Sequence, residues 1–343
     1  MSANMIHYTP EQVNEIFERF SLLSVMVIGD VMIDSYIWGK VSRISPEAPV
    51  PIVAVTKRAN RMGGAANVAL NLKAIGAKTY LCSVVGKDDK AAIFHNLMKE
   101  NNLSSEGILE SEKRVTTTKF RIIGNNSQML RVDEEIDTPL EHDDQETFFQ
   151  SIQNIIGNNR IDAIIFQDYD KGVITPALIT QVVELANQKM IPVVVDPKKR
   201  NFGHYRNVNL FKPNLKELYE GLGLASDGFS IEKVRQAVRL LHKKLHVPMV
   251  FTTLSEEGVF ISHLHEDGHF SDHYIQAHLR AIADVSGAGD TVVSIACLAL
   301  AAGMTDYEIA AISNLAGGQV CESVGVVPVN RSKLMSELVS RNL

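Results

Sequence analysis

The stretch Ala283-Asp284-Val285-Ser286-Gly287-Ala288-Gly289-Asp290-Thr291, followed by the apolar run Val292 to Ala301, decides how this chain is read. Small residues at Gly287, Ala288 and Gly289 let the backbone turn tightly into a helix and leave its first amides bare. Those amides, backed by the positive end of the helix dipole, form an anion site. Asp290 stands at the last position of the turn. A carboxylate base beside a cradle for developing negative charge suits transfer of an anionic group to a hydroxyl. The plain structural alternative is a glycine turn capped by an acidic residue.

Working outward, 343 residues, 45% of them hydrophobic and with charges well mixed, can bury a large core. The net charge of −6 argues against a nucleic-acid binder that relies on phosphate contacts. Cys82, Cys297 and Cys321 lie among apolar neighbours with no CxxC pair, as buried thiols of a reducing compartment do. No apolar run approaches the roughly 20 residues of a bilayer span, and residues 1–20 lack a signal-peptide core. The expectation is a cytoplasmic protein with neither a membrane nor a nucleic-acid partner.

Thr9-Pro10 opens a helix with Val13, Ile16, Phe17 and Phe20 on one face. Val25 to Ile28 reads as a buried parallel strand ending at Gly29-Asp30, with Asp34 close behind. From Ile37 to Val55 come short β-like pieces punctuated by Pro46, Pro49 and Pro51, and Thr116–Ile123 with Ser127–Val132 flank a Gly124-Asn125-Asn126 hairpin turn. Two such insertions, at about 36–56 and 115–133, predict a small β lid on a single α/β domain. Between them Gly63-Gly64-Ala65-Ala66-Asn67 is a loop of minimal side chains running into a helix. It suits close backbone approach to a polar ligand, or tight helix packing. Strands at 79–85, 162–166, 193–195, 210–211 and 250–253 then alternate with helices, predicting βαβ units and a mostly parallel sheet.

Several strand ends carry polar groups: Asp30 and Asp34, Asp168 to Lys171, Asp196 and Lys198, Asn214 and Glu217, Asp290. In one parallel sheet they converge on one rim. Asp168-Tyr169-Asp170 could hold Mg²⁺ but fits an indirect role better. His263, His265, His269, His273 and His278 match no metal-site spacing, and His263/His265 fit strand alternation, so no metal is expected there. The Walker phosphate loop is absent.

With Gly63-Gly64-Ala65-Ala66-Asn67 near its start and Asp284-Val285-Ser286-Gly287-Ala288-Gly289-Asp290-Thr291 near its end, the chain resembles the PfkB/ribokinase family of sugar kinases. Finer stretches resemble the heptose-7-phosphate kinase branch, the kinase half of a bifunctional heptose kinase/adenylyltransferase. These are Gly29 to Asp34, Ile44-Ser45-Pro46-Glu47-Ala48-Pro49-Val50-Pro51, Gln128 to Asp133, Asp168 to Gly172, and Lys212 to Glu217. The resemblance implies a ribokinase-like three-layer α/β/α sandwich with a β lid that pairs two subunits. It implies Asp290 as base and the amides of Gly287, Ala288 and Gly289 as phosphoryl cradle. Asp34, Gly63, Gly64 and Asn67 would hold the sugar. Asp196 would join them at the substrate, and Lys171 and Lys198 would balance phosphate charge. Asn214 and Glu217 would arrange Mg²⁺ and ATP phosphates through water, with Ser255 and Gly258 lining the nucleotide loop and Asn314 and Gly318 the adenine wall.

Ser286 stands where the family signature has Thr, keeping the hydroxyl. Because the sequence reaches Leu343 without a His-x-Gly-His motif, a separate adenylyltransferase is expected as pathway partner. The implied reaction is ATP-dependent phosphorylation of D-glycero-β-D-manno-heptose 7-phosphate at its anomeric hydroxyl. The alternatives are a related kinase for fructose phosphate or ribose, and a non-catalytic sugar or nucleotide sensor.

Overall fold

The computed structural model describes residues 6–225 and 228–341. In chain order the elements are α1 (Pro10–Ser21), β1 (Ser24–Gly29), β2 (Val31–Ile44), β3 (Pro51–Gly64), α2 (Ala65–Ile75), β4 (Lys78–Gly86), α3 (Asp89–Glu100), β5 (Ile108–Ser111), β6 (Thr118–Gly124), β7 (Ser127–Glu134) and α4 (His142–Asn158). Then follow β8 (Ala163–Gln167), α5 (Pro176–Gln188), β9 (Val193–Asp196), β10 (Leu210–Phe211), α6 (Leu215–Leu222), α7 (Ile231–Leu245), β11 (Met249–Thr253), β12 (Val259–Leu264), β13 (Phe270–Ile275), α8 (Ala288–Ala301), α9 (Asp306–Val320) and α10 (Arg331–Ser340).

Nine strands form one sheet in the order β13-β12-β11-β10-β9-β8-β1-β4-β5. Pairings from β11 to β5 are parallel, and only the edge pairs β11 with β12 and β12 with β13 are antiparallel. The two-residue period of β1 explains the layering. Val25 and Val27 join a core with α1, α2, α3, α8, α9 and α10, whereas Met26 and Ile28 join one with α4, α5, α6 and α7. The result is the expected α/β/α sandwich with a mostly parallel centre. The Thr9 start is realised as a capping box, which aims Val13, Ile16, Phe17 and Phe20 into the core. All three cysteines are free and buried.

A second sheet has the order β3-β2-β6-β7. Its strands are longer than the short pieces the prolines suggested. β2 leaves the main sheet directly after β1 and runs 14 residues, and β3 returns over another 14 to end on Gly63-Gly64. Pro46 and Pro49 lie in the connection and Pro51 is the first residue of β3, so none interrupts a ladder. Much of this sheet has both faces toward solvent, and Val55, Met129, Leu130 and Val132 are exposed on it. Among the described residues, no helix is long and apolar enough to cross a membrane.

Candidate active site

Helix α8 is buried along nearly its whole length, packed between α2 and α9, which fixes its first turn at the carboxyl rim of the sheet. Its N-cap, Gly287, has φ +81° and no side chain caps the helix, so the first amides have no side-chain partner. A Cβ at Gly287 would sit 3.0 Å from Asn67 Nδ2, so space as well as backbone angle demands glycine. Asp284 braces the turn by accepting from the N–H groups of Ser286 at 2.9 Å and Gly325 at 2.9 Å.

Asp290, in the first turn of α8, is 6% exposed. Asn67 Nδ2 donates to its Oδ2 at 2.7 Å, and the Tyr169 hydroxyl and Gln167 Nε2 donate to Oδ1 at 2.7 and 3.2 Å. Burial, with Asp196 nearby, pushes its carboxyl up to about 6, against the lowering effect of Asn67, Tyr169 and Lys212. A carboxylate poised there is charged at neutral pH yet can accept a proton.

The helix carrying Asn67 begins at the predicted glycine loop. Gly64, with φ +63°, is the N-cap of α2, and a Cβ at Gly63 would lie 2.5 Å from Asp34 Oδ2. Gly63 thus packs against Asp34, and Gly64 starts the helix whose Asn67 reaches Asp290. Asp34 is ion-paired with Arg121 of β6. Arg121 and Arg61 both lie 5.3 Å from the Tyr36 ring centroid, so two guanidinium groups stand beside Tyr36, close to Asp34.

Asp196, ending β9, sits in register with Gln167, which ends β8. It pairs with the buried Lys212 at 3.2 Å and accepts from Gln167 at 3.3 Å. Lys198 is ion-paired with Glu217, and although burial opposes its charge, Asp196 and Glu217 raise its pKa. Asn214 and Glu217 form a capping box on α6: Glu217 N donates to Asn214 Oδ1 at 2.8 Å and Asn214 N to Glu217 Oε2 at 2.9 Å. With one oxygen taken by the cap and the other by Lys198, Glu217 suits contact with a metal through water.

Other expected residues are placed differently. Lys171 turns toward Glu135, its Nζ 2.7 Å from Oε1, so in this structure its charge is spent on that pair rather than held free for phosphate. The face of Gly318 is covered by Arg280: a Cβ there would lie 2.8 Å from Arg280 Nε. Arg280 is itself held by Glu322 and Glu337, and Asn314 Nδ2 donates to Gln276 O at 3.0 Å. Asn314 and Gly318 thus line the 276–280 segment, not open space. Ser255, exposed with φ +55°, and Gly258, buried with φ +96°, bound the turn after β11.

The sequence reading gave no role at Asp290, Asp196 or Asp34 to Tyr169, Gln167, Lys212, Arg61 or Arg121, although Tyr169 and Lys212 fall in stretches it quoted. A polar residue closing a wholly buried strand, as Gln167 does, is the signal that could have found one of them. Tyr169 is placed by Asp30, a buried carboxylate that accepts from the N–H groups of Tyr169, Lys171 and Val173 at 2.9, 3.2 and 3.0 Å.

Residues 22–332 match the family described as "pfkB family carbohydrate kinase". The chain belongs to the PfkB family of carbohydrate kinases. The kinase is 35% identical over 324 residues to the bifunctional protein HldE of Syntrophotalea carbinolica, covering 94% of this chain and 64% of that protein. It is 36% identical over 329 residues to HldE of Geobacter sulfurreducens, covering 96% and 65%. The chain thus spans somewhat less than two thirds of these relatives. Among solved structures, its fold is similar to Arabidopsis thaliana ribokinase complexed with ribose and ATP (TM-score 0.69, 17% identity, 93% and 99% covered). It is also similar to Escherichia coli phosphofructokinase-2 with substrates and products (TM-score 0.74, 17% identity, 93% and 100% covered). The kinase is a phosphotransferase acting on sugar hydroxyls.

Proposed function

We propose that this kinase phosphorylates D-glycero-β-D-manno-heptose 7-phosphate at its anomeric hydroxyl, using ATP and Mg²⁺, to give the 1,7-bisphosphate on the route to ADP-heptose. One observation carries the chemistry: a buried carboxylate, Asp290, lies on the first turn of a helix whose leading amides have no side-chain cap, beside the Gly63-Gly64-Asn67 surface. Asp290 would take the sugar proton while the amides of Gly287, Ala288 and Gly289 hold the transferring group. Gly63, Gly64, Asp34 and Asn67 would orient the sugar, with Asp196 beside them. Asn67 and Tyr169 would aim the base, and Lys198 would face the phosphates.

The nucleotide would lie along Asn214, Glu217, Ser255 and Gly258, and reach Asn314 and Gly318 once Arg280 yields. Glu217, its oxygens already engaged, would hold Mg²⁺ through water, and the ion would supply positive charge to offset that of the nucleotide phosphates.

The heptose assignment is supported by the branch-like stretches, above all Ile44 to Pro51, and by the HldE relatives. Arg61 and Arg121, grouped around Tyr36 near Asp34, suit a phosphorylated sugar, since guanidinium groups pair bidentately with phosphate. The outer sheet would act as the lid, and its exposed Val55, Met129, Leu130 and Val132 favour a homodimer through that face.

The test is ADP release across heptose 7-phosphate, fructose 6-phosphate, fructose 1-phosphate, ribose and unphosphorylated heptose, with the product position read by phosphorus NMR. Preference for heptose 7-phosphate is expected. Arg61→Ala and Arg121→Ala should raise its KM about 10-fold or more, at roughly 1.4 kcal/mol per tenfold, and leave the KM for ATP unchanged. Preference for another sugar refutes the heptose assignment, and no turnover on any of them supports the sensor reading.

A further inference from the structure

The outer edge of the nine-stranded sheet carries a side-chain cluster that phosphoryl transfer does not use. His263 on β12 and His265 just beyond it face one side, because strand side chains alternate. The register Ile261↔His273 and His263↔Ser271 places His273 and Ser271 of β13 on that same side. The His265 ring lies 4.0 Å from that of His263 and stacks on His269 at 4.1 Å. Four imidazoles therefore crowd one face of a single hairpin.

Helix α9 meets this face with its N-terminus and brings Asp306, 11% exposed at its side chain, against the histidines. The two oxygens of Asp306 are shared out: Oδ2 lies 3.9 Å from His263 Nδ1, and Oδ1 lies 3.4 Å from His273 Nε2. Ser271 donates to Oδ2, and its Oγ lies 3.2 Å from His265 Nε2. One ligand atom from each of His263, His265 and Asp306 falls within 4.8 Å of the others. Three donors at about 2.0–2.2 Å from one tetrahedral ion would stand roughly 3.4 Å apart. Small side-chain rotations close that gap.

The 3.9 Å approach of His263 to Asp306 is too long for a hydrogen bond, so the two are gathered without sharing a proton. Two imidazole nitrogens and one carboxylate oxygen are a donor set for borderline transition ions, whereas Mg²⁺ selects oxygen.

We infer that His263, His265 and Asp306 form a binding site for a divalent transition-metal ion of the zinc class, with solvent completing the coordination shell. This reverses the expectation drawn from sequence spacing, because the third ligand arrives from α9, beyond α8 in the chain. The ion would pin the β12–β13 hairpin to the start of α9. The site is separate from the nucleotide metal and does not depend on the sugar assigned above.

The test is calorimetric titration of untagged, metal-stripped full-length protein with Zn²⁺, in a non-coordinating buffer free of nucleotide and Mg²⁺. One equivalent bound per chain is expected, with Co²⁺ giving the visible absorption of a low-coordinate nitrogen–oxygen site. His263→Gln/His265→Gln should weaken Zn²⁺ binding at least about 10-fold and abolish the Zn²⁺-induced rise in Tm. Circular dichroism monitors the fold, and Asp306→Asn serves as a second variant read in the same way. No stoichiometric binding by the wild-type protein, or equal affinity in the folded variants, overturns the inference.

Discussion

Replacing Asp290 by asparagine separates what this side chain does for turnover from what it costs the fold. The native carboxyl is pushed up to about 6 from an ordinary 3.8, foremost by burial. The native state therefore holds the proton more tightly than the unfolded chain. The stability tied to this proton is fully present below about pH 4 and is lost as pH rises through about 6. The gap between the two values corresponds to roughly 3 kcal/mol at 1.36 kcal/mol per pKa unit.

Asparagine keeps the shape and removes that charge. Its oxygen can still accept from Asn67, and its amide can face the Tyr169 hydroxyl oxygen and, once the Gln167 amide flips, Gln167 Oε1, a buried acceptor without a partner. Asp290→Asn should accordingly be more stable than the wild-type protein by up to about 3 kcal/mol at pH 8, with the advantage fading near pH 4. Turnover should drop by about 10²–10⁴-fold or more while ATP binding is spared. Paired urea denaturation at both pH values, with an ADP-release assay on the same samples, measures both effects. A variant no more stable at pH 8, a difference that does not change with pH, or turnover within tenfold of wild type would refute the reasoning.

Tyr169→Phe removes the 2.7 Å donor that favours the charged carboxylate, so Asp290 should titrate above its present value of about 6. The acid limb of the kcat/KM profile should move to higher pH, with more activity lost at pH 6 than at pH 8; an unmoved limb counts against Tyr169 as a positioning residue. Lys212→Met breaks the buried pair with Asp196, in which the two side chains are 2% and 6% exposed, and strands a carboxylate. That should cost about 3–5 kcal/mol in urea denaturation, and a loss under about 1 kcal/mol would show that Gln167 and solvent suffice for Asp196.

Local patterns were legible where one short-range force decides conformation. The apolar run Val25 to Ile28 read as a strand buried on both faces, and Gly287-Ala288-Gly289-Asp290 as a turn into a helix with bare amides, and both form as read. The outer sheet was harder to read, because residues such as Lys57 to Asn60 of β3 are not enclosed on either side and leave no hydrophobic alternation. Lys171 and Gly318 drew roles from motif position, yet Glu135 and Arg280 meet them in space. The partners Tyr169 and Gln167 were hidden because their contacts to Asp290 span 121 and 123 residues.

The sequence by itself determined the strand–helix alternation, the glycine turns and the place of Asp290 in one of them, since each depends on neighbours along the chain. Only the tertiary structure decided which groups grip Asp290, that two arginines flank Asp34, and that histidines of an edge hairpin meet Asp306. Those outcomes depend on strand register and helix packing, which set distances between residues that no local pattern relates.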